Sequence, residues 1–358
     1  MSALYDSVRR RWRRLKAAEP WNGSAAARAS YAVLRACARL VKRCGAGTDL
    51  AARALYLYYH PELGLAPMDA WQDRVHRRVP AAELAALKAR LADARAQTCR
   101  ALGVTEGPLD DVRPLDGAPD GDVAVHLHVF YPELLPAFAA AFARLPFPFD
   151  LYVSVPDGVA ADEASVRAAL AGVPCLRQLV VRRCPNRGRD IAPLACLFGR
   201  ALARYRYIGH FHTKRSPHDA RGRGWLDFIL GRLAGSADGC RRIFALLSGD
   251  CGLVSAADFV EMPEDPSGWG RNLAPARDLV RRAGLTVDLA ARFPVIVFPQ
   301  GSMFWARTDF LRRFLDLPLS FDDFPAEPVG VDGTLAHAGE RLFYVWGLGT
   351  GLRVRRIP

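Results

Sequence analysis

Four histidines stand in two alternating pairs, His126-Leu127-His128 and His210-Phe211-His212, and the second pair runs directly into Thr213, Lys214, Arg215 and Ser216. Imidazoles take up and release protons near neutral pH, and two adjacent fixed cations suit a diphosphate or another anion. Each pair closes a short apolar run of the kind that forms a buried strand, and alternation with Leu127 or Phe211 turns both imidazoles of a pair to one face. Ligands of open α/β sheets sit beyond the carboxyl ends of the strands, so a strand ending in such a cluster marks the floor of a site. A surface loop with solvated charges is the plainer alternative. For His126 alone a core histidine bonded to backbone is favoured. Beyond His128, Phe130 and Tyr131 are placed to stack a base or a sugar ring.

Three further constellations carry polar chemistry. The loop Asn186-Arg187-Gly188-Arg189-Asp190 lies between a strand and a helix, where backbone amides grip anions. Asp190 either caps that helix or meets a ligand, and Arg187 and Arg189 suit phosphate or carboxylate. The turn at Gly301-Ser302 precedes Met303-Phe304-Trp305, which suggests a small residue close to substrate and rings, Trp305 among them, lining a groove. From Glu327 the chain reaches Asp332, which reads as a helix N-cap. On neighbouring turns of that helix His337 shares a face with Glu340 and Arg341.

The elements that must position these residues alternate strand and helix from Asp122 onward, which predicts a largely parallel sheet. Strands are expected over Asp122–Tyr131, Phe149–Val155, Gln178–Arg182, from Tyr207 and over Cys251–Ser255, with an irregular one from Val295 through Trp305. Helices are expected after Pro132-Glu133, near Ala161–Ala171, from about Asp190, over Trp225–Leu247 and at Asp332. The second strand closes at Pro156-Asp157-Gly158. Upstream, Pro80 opens a helix whose Leu84, Leu87, Leu91 and Leu102 form a seam for a partner helix. Gly103–Asp122 is rich in Gly, Pro and Asp and reads as a linker, dividing the chain into a basic helical region with its linker at 1–118 and an α/β domain at 119–358.

The bulk numbers bound the rest. A chain of 358 residues that is 51% apolar can bury a sizeable core. No run of eighteen apolar residues exists; the longest candidate, Phe293–Ala306, is interrupted by Pro299, Gln300 and Ser302, so no spanning helix is expected. The N-terminus has basic residues without an apolar stretch behind them, which is not a secretory-signal pattern. The eight cysteines show no C-x-x-C pair and read as small core residues of a reduced, cytosolic protein. The net charge of +12 suits nucleic acid, an anionic membrane or phosphorylated substrates without choosing among them. Leu4, Val8, Trp12 and Leu15 form an apolar stripe against Arg9, Arg10, Arg11, Arg13, Arg14 and Lys16, and Ala25–Arg43 repeats the basic pattern. That is the look of an interfacial membrane anchor, with a solvated basic face or an RNA-binding arm as the alternatives.

Taken in order, HVFYPEL, NRGRDIAPL, YIGHFHTKRS, GSMFWAR and DGTLAHAGER resemble the rhamnan synthesis protein F family of bacterial surface-polysaccharide enzymes, over Val123–Phe343. The resemblance implies a GT-A-like nucleotide-sugar-binding (Rossmann-like) α/β fold behind an N-terminal helical region. It implies a glycosyltransferase moving rhamnose or another hexose from a nucleotide-sugar donor to a lipid-linked glycan of rhamnan, O-antigen or capsule. The expected place is cytoplasmic, peripheral on the inner face of the cytoplasmic membrane. The partners implied are donor, acceptor and the anionic membrane surface, with no nucleic acid. Donor binding falls to His128, Phe130, Asp157, Asn186, Gly188, Arg189, Asp190, His210, His212, Lys214 and Arg215. Acceptor-side or supporting roles fall to Ser302, Trp305, His337, Glu340 and Arg341, and catalysis to Asp332, then Glu327, as the carboxylate that takes the acceptor proton. GT-A enzymes carry Asp-x-Asp after the fourth strand for a divalent metal, where His210-Phe211-His212 stands here. Histidines are poor magnesium ligands, so metal dependence is in doubt. Two other classes fit parts of the pattern: a non-catalytic membrane-associated sugar-binding scaffold, and a metal-dependent hydrolase of the amidohydrolase kind using the His-x-His pairs.

Overall fold

The computed structural model describes residues 81–214, 224–259, 268–329 and 333–358. Its strands are β1 (Val104–Glu106), β2 (Val123–His128), β3 (Phe149–Pro156), β4 (Leu176–Cys184), β5 (Tyr207–His212), β6 (Cys251–Ala256), β7 (Phe304–Arg307) and β8 (Arg353–Ile357). Around them lie α1 (Ala81–Leu102), α2 (Leu135–Phe142), α3 (Glu163–Leu170), α4 (Gly199–Leu202), α5 (Trp225–Ala234), α6 (Ala237–Ser248), α7 (Leu273–Arg282), α8 (Leu289–Arg292), α9 (Thr308–Leu315) and α10 (Leu335–Arg341).

The strands form one open sheet in the order β1-β8-β6-β7-β5-β2-β3-β4. All neighbours run parallel except β7, which is antiparallel to both β5 and β6. Strand β2 is buried along its whole length, as a central strand covered on both faces must be. Its odd positions, Val125 and Leu127, enter a core with Phe142, Phe149, Phe211, Trp305 and Phe244, which α2, α3, α5 and α6 cover. Its even positions face the other layer, where Phe198, Phe304, Phe314, Phe343 and Trp346 are buried with α7, α9 and α10. From β2 the chain moves outward through β3 and β4, then returns to β5 on the opposite side of β2. The order of strands therefore reverses between β2 and β5, which is where open α/β sheets open a crevice for ligands.

Four features depart from the sequence expectation. Strand β1 comes from the segment read as linker and pairs with β8, so the sheet begins before residue 119. Three residues are too few to show a period of two, and β8, with Arg353, Arg355 and Arg356, has too little apolar character to announce itself. The stretch 295–303 is not a strand; Pro299 and the left-handed Gly301 and Ser302 delay β7 to Phe304. The helix expected from Asp190 is broken, with a π-helical turn at Pro193–Leu197 before α4. Helix α10 starts at Leu335, and Thr334, not Asp332, caps it. The basic segments before residue 44 and Pro80 lie outside the described residues.

Gly209 faces the core opposite the histidines, and a Cβ there would lie 2.6 Å from the buried Trp305 ring. Gly209→Ala should therefore cost about 1–3 kcal/mol of stability in a urea titration. Gly172→Ala, where a Cβ meets nothing within 4 Å, should cost under about 0.5 kcal/mol. Equal effects would contradict this packing.

Candidate active site

Parallel pairing in register sets His126 beside His210 and His128 beside His212, so the two His-x-His pairs form a two-by-two patch. On the far side of β2, Tyr152 and Ser154 of β3 align with His126 and His128. The patch lies on the face covered by the broken helix: the His126 ring meets Phe198 at 5.7 Å, and the His210 ring meets Phe304 at 5.4 Å. Most of its polar atoms bond one another in a chain. Asp190 Oδ2 accepts from His210 Nε2 at 3.0 Å, and His210 Nδ1 bonds His126 Nδ1 at 3.0 Å. His126 Nε2 bonds Ser154 Oγ at 2.9 Å, and the same oxygen bonds His128 Nδ1 at 2.9 Å. His212 Nε2 donates to the Gly301 carbonyl at 2.6 Å.

Local backbone geometry aims these groups. Gly188 (φ 68°) and Arg189 (φ 54°) are both left-handed, which turns the chain so that Asp190 points back under the sheet. Only glycine fits at 188, since a Cβ would lie 2.5 Å from Ala192 and 2.6 Å from Phe324. Ser302 (φ 55°) is the other left-handed non-glycine residue described, next to the carbonyl that holds His212. Non-glycine residues in this region cost roughly 1–3 kcal/mol and gather where a site needs a set geometry. Thr213 fastens the two strand ends: its Oγ1 accepts from the Phe130 and Tyr131 amides at 2.8 and 2.9 Å.

Beyond the patch, Lys214 Nζ stands 3.8 Å over the Trp225 ring at the start of α5. Burial lowers its pKa, against the Glu340 and Asp190 carboxylates that raise it, and Arg189 lowers it further. These four side chains therefore share one electrostatic neighbourhood. Arg189 Nε lies 3.8 Å from Glu327 Oε1, and Glu327 Oε2 accepts from the Val329 amide. His337 is buried and its Nδ1 meets Thr334 Oγ1 at 2.7 Å, while its Nε2 has no partner among the described residues. Arg341 donates to the His337 carbonyl. Phe130 is 40% exposed at the end of β2, an outlier for a large apolar side chain among the described residues. Asp157 is exposed beyond β3 and Asn186 half-buried.

The structure thus joins Asp190 to His210 directly and His128 to them through Ser154 and His126, sets His212 next to His210 on β5, and places Arg189, Lys214, His337, Glu340, Arg341 and Glu327 around them. Several expectations need correction. Asp190 does not cap a helix; its carboxylate bonds His210. His126 is a core histidine as expected, 0% exposed, but it bonds two side chains rather than backbone. Arg187 holds the loop after α9, donating to Asp322 and to the Phe324 carbonyl. Trp305 is fully buried on the opposite face and donates to the Leu233 carbonyl, so it lines no groove. Ser302 is buried and serves the turn. Arg215 and Asp332 lie outside the described residues. Sequence reasoning missed Ser154 and Thr213; a lone serine within the otherwise apolar Val153-Ser154-Val155 run is the signal that pointed to the first.

Metal ligation in the Asp-x-Asp manner does not fit this arrangement. Both ring nitrogens of His210 are engaged, by His126 and Asp190, and His212 Nε2 is a donor. Among the described residues no group of three or more His, Cys, Asp or Glu side chains is placed to hold a metal ion. The sheet is open and carries an antiparallel strand, so the barrel of an amidohydrolase-like enzyme is excluded.

Fold and site together define an α/β protein of Rossmann-like kind, with its polar residues gathered at the reversal of strand order. The family model for Rhamnan synthesis protein F matches residues 111–348, and the chain belongs to that family. It is also similar to the uncharacterized protein WxcX from two strains of Xanthomonas campestris pv. campestris, at 29% identity over 243 and 241 residues. Each match covers 65% of this chain and 32% of the relative, so the chain spans about a third of those proteins. No helix among the described residues is long and apolar enough to cross a membrane.

The buried imidazoles make stability depend on pH. Burial, then the neighbouring histidines, hold His126 well below its ordinary value; burial brings His128 down to about 3 and His337 to about 2, and lowers His212. In the unfolded chain these groups protonate near pH 6.5, while in the folded chain His126, His128 and His337 stay neutral well below that and His212 is shifted in the same direction. The unfolded state therefore binds more protons below pH 6.5, and folding stability falls as pH falls, by about 1.4 kcal/mol per pH unit for each such histidine. Urea midpoints measured from pH 7.5 to 5 should drop steadily below 6.5. A level profile would contradict the buried, neutral patch.

Proposed function

We propose that this chain is a glycosyltransferase that moves a sugar, rhamnose or another hexose, from a nucleotide-sugar donor to a lipid-linked glycan during synthesis of a surface polysaccharide. Family membership supports a role in rhamnan or related polysaccharide synthesis. The observation that carries the site is the gathering of Lys214, Arg189 and a patch of neutral imidazoles at the point where strand order reverses. A GT-A-like reading of the fold rests on that reversal, since nucleotides bind such crevices.

In this reading Lys214, with Arg215 after it, takes the donor diphosphate and stabilises the charge that grows as it leaves. The Trp225 ring beneath Lys214 holds the ammonium in place. Phe130, exposed at the strand end, stacks the base. Arg189 and the orphan His337 Nε2 meet ribose or sugar oxygens. Asp157 and Asn186 flank the nucleotide, and Glu327, Asp332, Glu340 and Arg341 orient the acceptor. Basic residues before Gly45 keep the enzyme at an anionic membrane where a lipid-linked acceptor resides.

The test is a thermal-shift panel of nucleotide sugars and nucleoside diphosphates, with and without EDTA. One donor should raise the melting temperature, in EDTA as well as without it, and the protein should release its nucleoside diphosphate when lipid-linked acceptor is added. Lys214→Met should weaken that donor about tenfold or more, the loss of a hydrogen bond to a charged group. A panel with no response, or a Lys214→Met protein that binds as well as the native one, would count against the proposal. Binding without turnover would point to a scaffold.

A further inference from the structure

The hydrogen bonds that link Asp190 to His128 have a direction, and the direction can be worked out from one end. A carboxylate accepts only, so His210 Nε2 carries the proton that it donates to Asp190. With a single proton on the His210 ring, placed in that bond, its Nδ1 is bare and accepts, so His126 Nδ1 carries the proton between them. His126 Nε2 is consequently bare and accepts the Ser154 hydroxyl proton. Ser154 Oγ, having donated, accepts from His128 Nδ1. His128 is left with a bare Nε2, which has no partner among the described residues. Every tautomer in the chain follows from the charge on Asp190 together with a singly protonated His210 ring.

The surroundings match the direction. His210, His126 and Ser154 are 0% exposed, while Asp190 at 8% and His128 at 4% reach the surface. The middle of the chain is dry, and its open lone pair lies at the carboxyl end of β2, beside Phe130 and across from His212. Alone, His128 would be a weak base, because burial disfavours its charged form. Coupled to Ser154, His126 and His210 it need not stay charged.

We propose that His128 Nε2 takes the proton of a sugar hydroxyl and that Ser154 and His126 pass the positive charge on to His210, beside the Asp190 carboxylate. The proposal rests on the glycosyltransferase reading for the identity of that hydroxyl, the attacking one of the acceptor. As its oxygen bonds the anomeric carbon, the donor's carbon–oxygen bond breaks and the diphosphate leaves with the electron pair. The hydroxyl proton goes to His128 Nε2, the Nδ1 proton of His128 to Ser154 Oγ, and the hydroxyl proton of Ser154 to His126 Nε2. The His126 Nδ1 proton goes to His210 Nδ1, ending as an imidazolium beside the Asp190 carboxylate. The same protons run back to water through His128 once product has left. His128 is a catalytic residue in this scheme; Ser154, His126, His210 and Asp190 position it and store its charge.

The test uses the full chain labelled with 15N-histidine and two variants, Ser154→Ala and Ser154→Thr. Ring-nitrogen shifts at pH 7.5 should show His128 protonated on Nδ1 and bare on Nε2 in the native protein and in Ser154→Thr. In Ser154→Ala that preference should be lost. Turnover should fall about 100-fold in Ser154→Ala with donor affinity unchanged, and recover in Ser154→Thr. A His128 that carries its proton on Nε2, or whose tautomer ignores Ser154→Ala, overturns the relay. So does native turnover in Ser154→Ala alongside its loss in Asp332→Asn. Because the tautomers are read without substrate, failure of the relay is distinguishable from failure to bind any nucleotide sugar.

Discussion

The bond between His210 Nε2 and Asp190 Oδ2, 3.0 Å long and nearly closed to solvent, is the constraint on which the rest of the site depends. A buried carboxylate, here beside a His210 ring packed near Phe304 and Phe343, needs a donor or it must give up its charge. Burial alone would raise the Asp190 pKa; the surrounding imidazoles and the bond from His210 outweigh it and hold the group below the ordinary carboxylate range. Breaking the pair from one side would leave a buried polar group unmet, which costs more than the pair contributes. The left-handed turn at Gly188 and Arg189, the break in the helix after Asp190 and the in-register pairing of β2 with β5 all serve to let those two atoms meet.

From that bond the site divides by dielectric. Inside, burial disfavours the charged forms of His126, His128 and His212. At the rim, charge persists where it is solvated or stacked, as for Arg189 and for Lys214 above Trp225. A dry, hydrogen-bonded floor under a cationic rim suits a ligand with a polyanionic part and a polyhydroxyl part. That is the chemical description of an activated sugar, and it underlies the proposed function.

Much of this was legible in the sequence, for identifiable reasons. Strands β2, β3, β5 and β6 are apolar runs bounded by turn residues, and the alternation in His126-Leu127-His128 and His210-Phe211-His212 correctly put each pair on one face. What one sequence does not carry is which strands are neighbours. Without the register of β2 against β5 and β3, the links from His126 to His210 and to Ser154 have no local sign, and His126 looks like a lone core histidine. Trp305 misled for the same reason: its partners Phe211, Phe244 and Leu233 come from other elements. Asp190 had a local alternative, helix capping, that only its bond to His210 from another strand removes. Strands β1 and β8 escaped notice because an edge pair, short on one side and arginine-rich on the other, lacks the apolar signal of a central strand.

The account's central claim is that an activated sugar lies across the carboxyl ends of β2 and β5. The most direct measurement is photo-crosslinking of the full chain with an azido nucleoside diphosphate sugar, followed by peptide mapping of the labelled residues with excess unlabelled donor as competitor. Competable label on Phe130–Tyr131 or on Thr213–Lys214 is the predicted result. Competable label confined to the β1–β8 edge, some four strands away, would contradict it.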